Sequence, residues 1–182
     1  MEKPQWKVRS SEYLVRSPHM ILRRDTVELP NGHVIPDYFV RESNGFTVVV
    51  ALTAEDRVVI TREYRYGADS VGYELPAGTI DAGEEPLTCA RRELFEETGY
   101  RAESFEFVAS SFAEPVRSNS RAHIFLARGA HRVADPSLDV GETIAVEEVS
   151  LEELHAIARD GRMHSLSAIA AVYLALDALR RP

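Results

Sequence analysis

Three glutamates, Glu93, Glu96 and Glu97, stand at positions i, i+3 and i+4. On a helix they would share one sector of about 100°. Like charges placed this way repel by a few tenths of a kcal/mol per pair, and acids in a last helical turn also oppose the backbone dipole. A hard divalent cation such as Mg²⁺, Mn²⁺ or Ca²⁺ would reverse both penalties, because clustered oxygen ligands are what it accepts. The competing reading is a solvated acidic face without a ligand. Arg92 lies four residues before Glu96, close enough to orient its carboxylate or to form an ordinary surface pair of little weight.

The elements that would carry these groups can be placed from pattern and punctuation. Pro86 suits a first helical position and Gly99 a left-handed stop, which predicts a helix over Pro86 to Thr98. Phe46 to Leu52 is an apolar, β-branched run, and Arg57 to Arg62 follows a polar turn, so both read as strands, the first central. Ser104 to Ser110, Ala122 to Ala127 and Thr143 to Val149 are further strand candidates, and Leu151 to Ala158 and Leu166 to Leu179 show helical periodicity. Ser150-Leu-Glu-Glu153 has capping-box spacing. In the last helix Leu166, Ile169, Tyr173 and Leu176 share one face, which predicts packing there. From Tyr13 to Glu42 short extended runs alternate with turns, and Pro30-Asn31-Gly32 joins Met20 to Leu29 with His33 to Val40 as a hairpin. The irregular alternation predicts an α+β fold with an N-terminal antiparallel ribbon.

The chain has 182 residues, 45% hydrophobic and 27% charged. That excludes a disordered chain, a collagen-like repeat and a small disulfide-stapled module. With a formal charge of −8, it lacks the basic surplus expected of a general nucleic-acid binder. Lys3 and Lys7 are the only lysines, so 19 of the 21 basic residues are arginine. Arginine grips phosphate or carboxylate as a bidentate fork, although genome composition explains the bias equally well. Cys89 is the single cysteine, which excludes an intrachain disulfide and suits a reducing compartment. No apolar signal-peptide core follows the start, and the uncharged run from Met163 to Leu176 is too short for a membrane span of about 20 residues. A soluble cytoplasmic protein is expected, with no membrane or nucleic-acid partner.

The stretch Gly78-Thr-Ile-Asp-Ala-Gly-Glu84-Glu-Pro-Leu-Thr-Cys-Ala-Arg-Arg92-Glu93-Leu-Phe-Glu96-Glu97-Thr-Gly99-Tyr100 fits the pattern Gly-x5-Glu-x7-Arg-Glu-aliphatic-x-Glu-Glu-x-Gly-apolar. On it the chain is identified as a member of the Nudix hydrolases. Tyr100 stands where an aliphatic residue is usual, a departure expected to affect packing. Arg62-Glu63-Tyr64-Arg65-Tyr66, Glu74-Leu75-Pro76-Ala77 and the N-terminal ribbon resemble the branch that hydrolyses ADP-ribose and nucleoside-diphosphate sugars. Pro115 falls where that branch carries a marker proline, but Glu114-Pro115-Val116 replaces the usual Ser-Pro-Gly.

The resemblance implies an α/β/α sandwich around a mixed sheet over residues 44–182, with residues 1–43 as a dimerising ribbon. It implies Mg²⁺, with Mn²⁺ as a substitute, held by Glu93, Glu97, the Ala77 carbonyl and Glu96, the last as ligand or water-holder, with Arg92 orienting the carboxylates. Gly78 would let the backbone turn toward the metal. Glu142, before the late strand, is the candidate general base, with Asp139, Glu147 and Glu148 as rivals. Arg65 is expected at the diphosphate or ribose, Glu74 just ahead of the metal loop, Arg117 near the terminal sugar, and Tyr38 or Trp6 against the base. For Arg65 and Glu74 a structural ion pair is an equal alternative, for Arg117 a surface role, and for Tyr38 core packing. The expected activity is Mg²⁺-dependent hydrolysis of ADP-ribose or a related nucleotide sugar by a homodimer. A GDP-mannose- or UDP-sugar-preferring hydrolase and a non-catalytic ADP-ribose-sensing module are the alternatives.

Overall fold

The computed structural model describes residues 4–138, 141 and 143–180. The chain forms two compact units, one comprising residues up to Gly45 together with Phe112–Arg121, the other Phe46–Ser111 and the chain from Ala122 onward.

The first unit is built on strands β1 (Lys7–Ser17), β2 (Met20–Glu28) and β3 (Val34–Glu42), antiparallel in that order. The expected turn joins β2 to β3: the Gly32 N–H donates to the Leu29 carbonyl at 2.9 Å, with Gly32 at φ 82°. A β-carbon disfavours that left-handed conformation. Strand β1 begins six residues before Tyr13, where the extended pattern becomes readable. All eleven of its residues are exposed, so it has no buried face to impose an alternation on its sequence.

The second unit is an α/β/α sandwich. Its strands are β4 (Phe46–Thr53), β5 (Arg57–Arg65), β6 (Ser70–Glu74), β7 (Ala77–Thr79), β8 (Tyr100–Arg101), β9 (Ser104–Phe112), β10 (Arg121–Arg132) and β11 (Ile144–Ser150), with β9 and β10 starting or ending in the first unit. The sheet is mixed: β4 runs antiparallel to β5 and β7 and parallel to β10, while β11 and β6 pair antiparallel with β5. Helix α1 (Pro86–Thr98) covers one face, where Ala90 and Leu94 pack with Val49, Ala51, Val59, Phe125 and Ala127. Helices α2 (Leu151–Arg159) and α3 (Leu166–Arg180) cover the other, over Val48, Val50, Val58, Ile60 and Leu126. Alternate β4 residues therefore serve opposite layers, as strand geometry requires.

Helix α1 has its expected bounds, with Pro86 in the first turn and Gly99 capping at φ 75°, its N–H donating to the Phe95 carbonyl at 2.8 Å. The Ser150 hydroxyl accepts from the Glu153 N–H at 3.1 Å and caps α2. One packing expectation is corrected in α3. Leu166 is exposed and Ile169 and Leu176 are only flanking, whereas Ala168, Ala171, Val172 and Ala175 form the buried face. Small side chains let the helix backbone approach the sheet, so bulk alone marked the wrong stripe. Strands β6, β7 and β8 were not foreseen, being two to five residues long. No helix among the described residues is long and apolar enough to cross a membrane.

Candidate active site

Strand β7 pairs with β4 through Val48 and Ala77, which lays the Ala77–Gly78 backbone beside α1. From the helix, Glu97 accepts the Ala77 N–H on Oε2 at 3.0 Å. The Glu93 carboxyl occupies the space a side chain on Gly78 would need: a β-carbon there would lie 2.0 Å from Glu93 Cδ and Oε1. Glu93 and Glu97 are only 9% and 7% exposed. Two buried acids thus meet at one short strand, β7, an arrangement that costs free energy without compensation.

Arg92 provides part of that compensation. Its guanidinium donates to Glu84 through Nε at 3.0 Å and Nη2 at 2.9 Å, to Glu93 at 2.6 Å, to Glu96 at 3.1 Å and to the Thr79 carbonyl at 3.1 Å. Arg92 is therefore a hub that joins the acids to the loop, well beyond a surface pair. Its hydrogen bonds hold the Glu84 carboxyl down to about 2. Cys89, given no role from sequence, lies against the same loop: its thiol donates toward the Gly78 and Thr79 carbonyls at 3.6 and 3.5 Å, and burial pushes it up to about 11.

A second group comes from the β5–β6 hairpin. Arg65 donates to Glu74 through Nε at 3.0 Å and Nη2 at 2.9 Å, and Nη2 lies 3.0 Å from Glu63. The Glu74 hydrogen bonds raise the Arg65 guanidinium further, and the charges of Glu63 and Glu97 act in the same direction. The field of Glu97 at Arg65 links the hairpin group to the α1 acids. In the sequence Glu63 stands out only as part of a motif. The signal was present, since residues 61, 63 and 65 of a strand share one face.

Among the described residues no three acidic, cysteine or histidine side chains already converge as metal ligands; the Ala77 N–H engages Glu97, and Arg92 engages Glu93 and Glu96. The donor chemistry nevertheless fits a hard divalent cation: two buried carboxylates and the carbonyls of strand β7, all oxygen donors, with Glu96 at the rim.

Of the base candidates, Glu142 and Asp139 lie outside the described residues. Strand β11 pairs Ile144 with Glu63 and Val146 with Thr61, so Glu148 shares the α1 face while Glu147 points to the other. There Glu147 pairs with Arg62 at 3.4 Å. Glu148 accepts from the Tyr100 hydroxyl at 2.6 Å, and burial followed by this bond pushes Tyr100 up to about 12. Tyr100 is a core residue of the α1 layer, in line with an effect on packing. Tyr38 and Arg117 belong to the first unit. The Tyr38 hydroxyl donates to the Val116 carbonyl and its ring meets Trp6 edge-on at 5.8 Å, while the Arg117 carbonyl accepts from the Arg41 N–H at 2.8 Å and its side chain is exposed.

A mixed sheet between helices, with an Arg-Glu-x-x-Glu-Glu helix laid against strand β7, defines a class, and the NUDIX domain pattern matches residues 44–168. The chain belongs to the Nudix family. Residues 6–40 match the nucleoside diphosphate sugar hydrolase N-terminal domain. It is similar to the methanol dehydrogenase activator of Bacillus methanolicus, 34% identical over 86% of this chain and 85% of that one. Similarity to the ADP-ribose pyrophosphatase of Bacillus subtilis is 31% identity over 84% and 83%. The crystal structure of an ADP compounds hydrolase has the same fold, with a TM-score of 0.81 over 99% of this chain and 96% of that one, at 23% identity.

Proposed function

We propose that this Nudix hydrolase cleaves the diphosphate of ADP-ribose or a related nucleoside-diphosphate sugar, giving a nucleoside monophosphate and a sugar phosphate. The observation that carries the reading is the meeting of buried Glu93 and Glu97 at Ala77–Gly78, within the field of Arg65. Similarity to the ADP-ribose pyrophosphatase of Bacillus subtilis supports the substrate class.

Glu93, Glu97 and the Ala77 carbonyl would hold Mg²⁺, with Glu96 at the rim and Mn²⁺ as a substitute. The bound ion neutralises diphosphate charge, polarises phosphorus and eases ionisation of water. Arg92 keeps the carboxylates in place, and Arg65, backed by Glu74, donates to a phosphate oxygen. Water attacks one phosphorus, the bridging P–O bond breaks and the bridging oxygen leaves with the other phosphate. Glu142 takes the proton from that water. Ile144, two residues beyond it, pairs with Glu63 on the site face, which supports the assignment over Glu147.

The deciding assay is phosphate release in a coupled phosphatase reaction with Mg²⁺, across ADP-ribose, GDP-mannose, UDP-glucose, diadenosine polyphosphates and nucleoside triphosphates. ADP-ribose is expected to be turned over best. Preference for GDP-mannose or UDP-glucose would make Val116 and its loop the specificity element, and turnover of none would move the chain to a binding module. In the same assay Glu142→Gln should lose about a hundredfold in kcat with KM little changed. Weakened binding at normal kcat would transfer the base role elsewhere.

A cytoplasmic homodimer completes the proposal, with residues 1–43 as the dimerising ribbon. Strand β1 is exposed throughout, and Trp6, Val8, Leu14, Val15, Met20, Ile21 of the same sheet region are exposed apolar residues that a partner copy would cover. Light scattering at micromolar concentration should give the dimer mass, and a monomer would remove this part.

A further inference from the structure

The β5–β6 register sets Thr61, Glu63 and Arg65 opposite Glu74, Gly72 and Ser70. Arg65 and Glu74 are thus two rows apart, and the guanidinium must fold back across the Glu63–Gly72 row to form its fork with Glu74. On that row Gly72 leaves its side-chain space to His164. A β-carbon there would lie 2.2 Å from the His164 ring, whose Nε2 is 3.2 Å from the Ser70 hydroxyl. From the other side Glu63, 7% exposed, meets Nη2 at 3.0 Å. Glu74 thus takes the Nε and Nη2 edge as a fork, and Glu63 meets Nη2 as a second carboxylate.

We infer that Glu63 is a positioning residue that holds the Arg65 fork as a second carboxylate and fixes the orientation of the guanidinium toward a diphosphate. With Glu74 alone, the half-exposed guanidinium could pivot about one carboxylate. With both, its orientation is set before ligand arrives, and less freedom is lost on binding. The charge balance argues against a simple electrostatic role. Two carboxylates on one guanidinium repel an anionic ligand, so their benefit must lie in orientation. The opposite signs of the two effects make the inference testable.

The inference rests on Arg65 being a diphosphate contact. ADP is the probe, since it carries the diphosphate without the terminal sugar and its binding needs no turnover. Its affinity is measured by calorimetry with Mg²⁺ on the wild-type protein, Glu63→Gln, Arg65→Lys and the double variant, each checked by thermal melting. Glu63→Gln should weaken ADP about tenfold, the low end for loss of an orienting partner. Lysine keeps the charge but has no fork, so Glu63→Gln should add less than about twofold in the Arg65→Lys background. If the glutamine variant does not fold, Glu63→Asp, which keeps the charge but withdraws the carboxylate, should weaken ADP similarly. Unchanged or tighter ADP binding, independent effects in the cycle, or no binding by the wild type overturns the inference. Failure of the nucleotide-sugar panel beside an intact ADP cycle would overturn only the proposed substrate.

Discussion

Glu97→Gln is expected to lower Mg²⁺-dependent turnover by about a thousandfold, the equivalent of several kcal/mol of transition-state stabilisation. The fold should survive. Glutamine keeps an oxygen to accept the Ala77 N–H, the contact now made at 3.0 Å, and it relieves a buried carboxylate of its desolvation cost. Thermal stability should therefore hold or rise while activity collapses, a separation that melting and initial-rate measurements on one preparation would show. Wild-type turnover at saturating Mg²⁺ would mean that Glu97 does not hold the ion.

Gly78→Ala should have an effect of the same order through a different route. The added methyl would lie 2.0 Å from Glu93 Cδ and Oε1, far inside van der Waals contact. Its neighbour is the end of a flexible side chain, so Glu93 can swing aside at small cost to stability. That swing withdraws the carboxylate from the Ala77–Gly78 backbone and from its 2.6 Å contact with Arg92. Turnover should fall about 10²- to 10³-fold, with a melting temperature near that of the wild type. A variant that melts much lower would show that Glu93 cannot yield. Normal turnover would show that its present position is not required.

What was legible in the sequence follows from where local chemistry sets the answer. Helix α1 carries Pro86 in its first turn, Gly99 at its end and acids at i, i+3 and i+4, so its bounds and the face of Glu93 and Glu97 could be written before any coordinates. Contacts that depend on register were hidden. Nothing local shows that Gly72 makes room for His164, or that Arg92 reaches back to Glu84 and Thr79 as well as forward to Glu96. The buried alanine face of α3 was misread because tertiary approach, rather than side-chain size, decides which stripe is covered.

The parallel pairing of β4 with β10 has a consequence for folding order. Every hairpin and helix contact between Glu63 and Glu97 lies within one unbroken segment, while the register joining Phe46 to Ala122 closes that whole segment into a loop. Local contacts form before such a closure, because bringing distant ends together is entropically slow. The chemically active segment can thus begin to organise while its central platform is still open. In pulsed hydrogen exchange, α1 amides should gain protection ahead of those in β10, and simultaneous protection would show that the platform forms first.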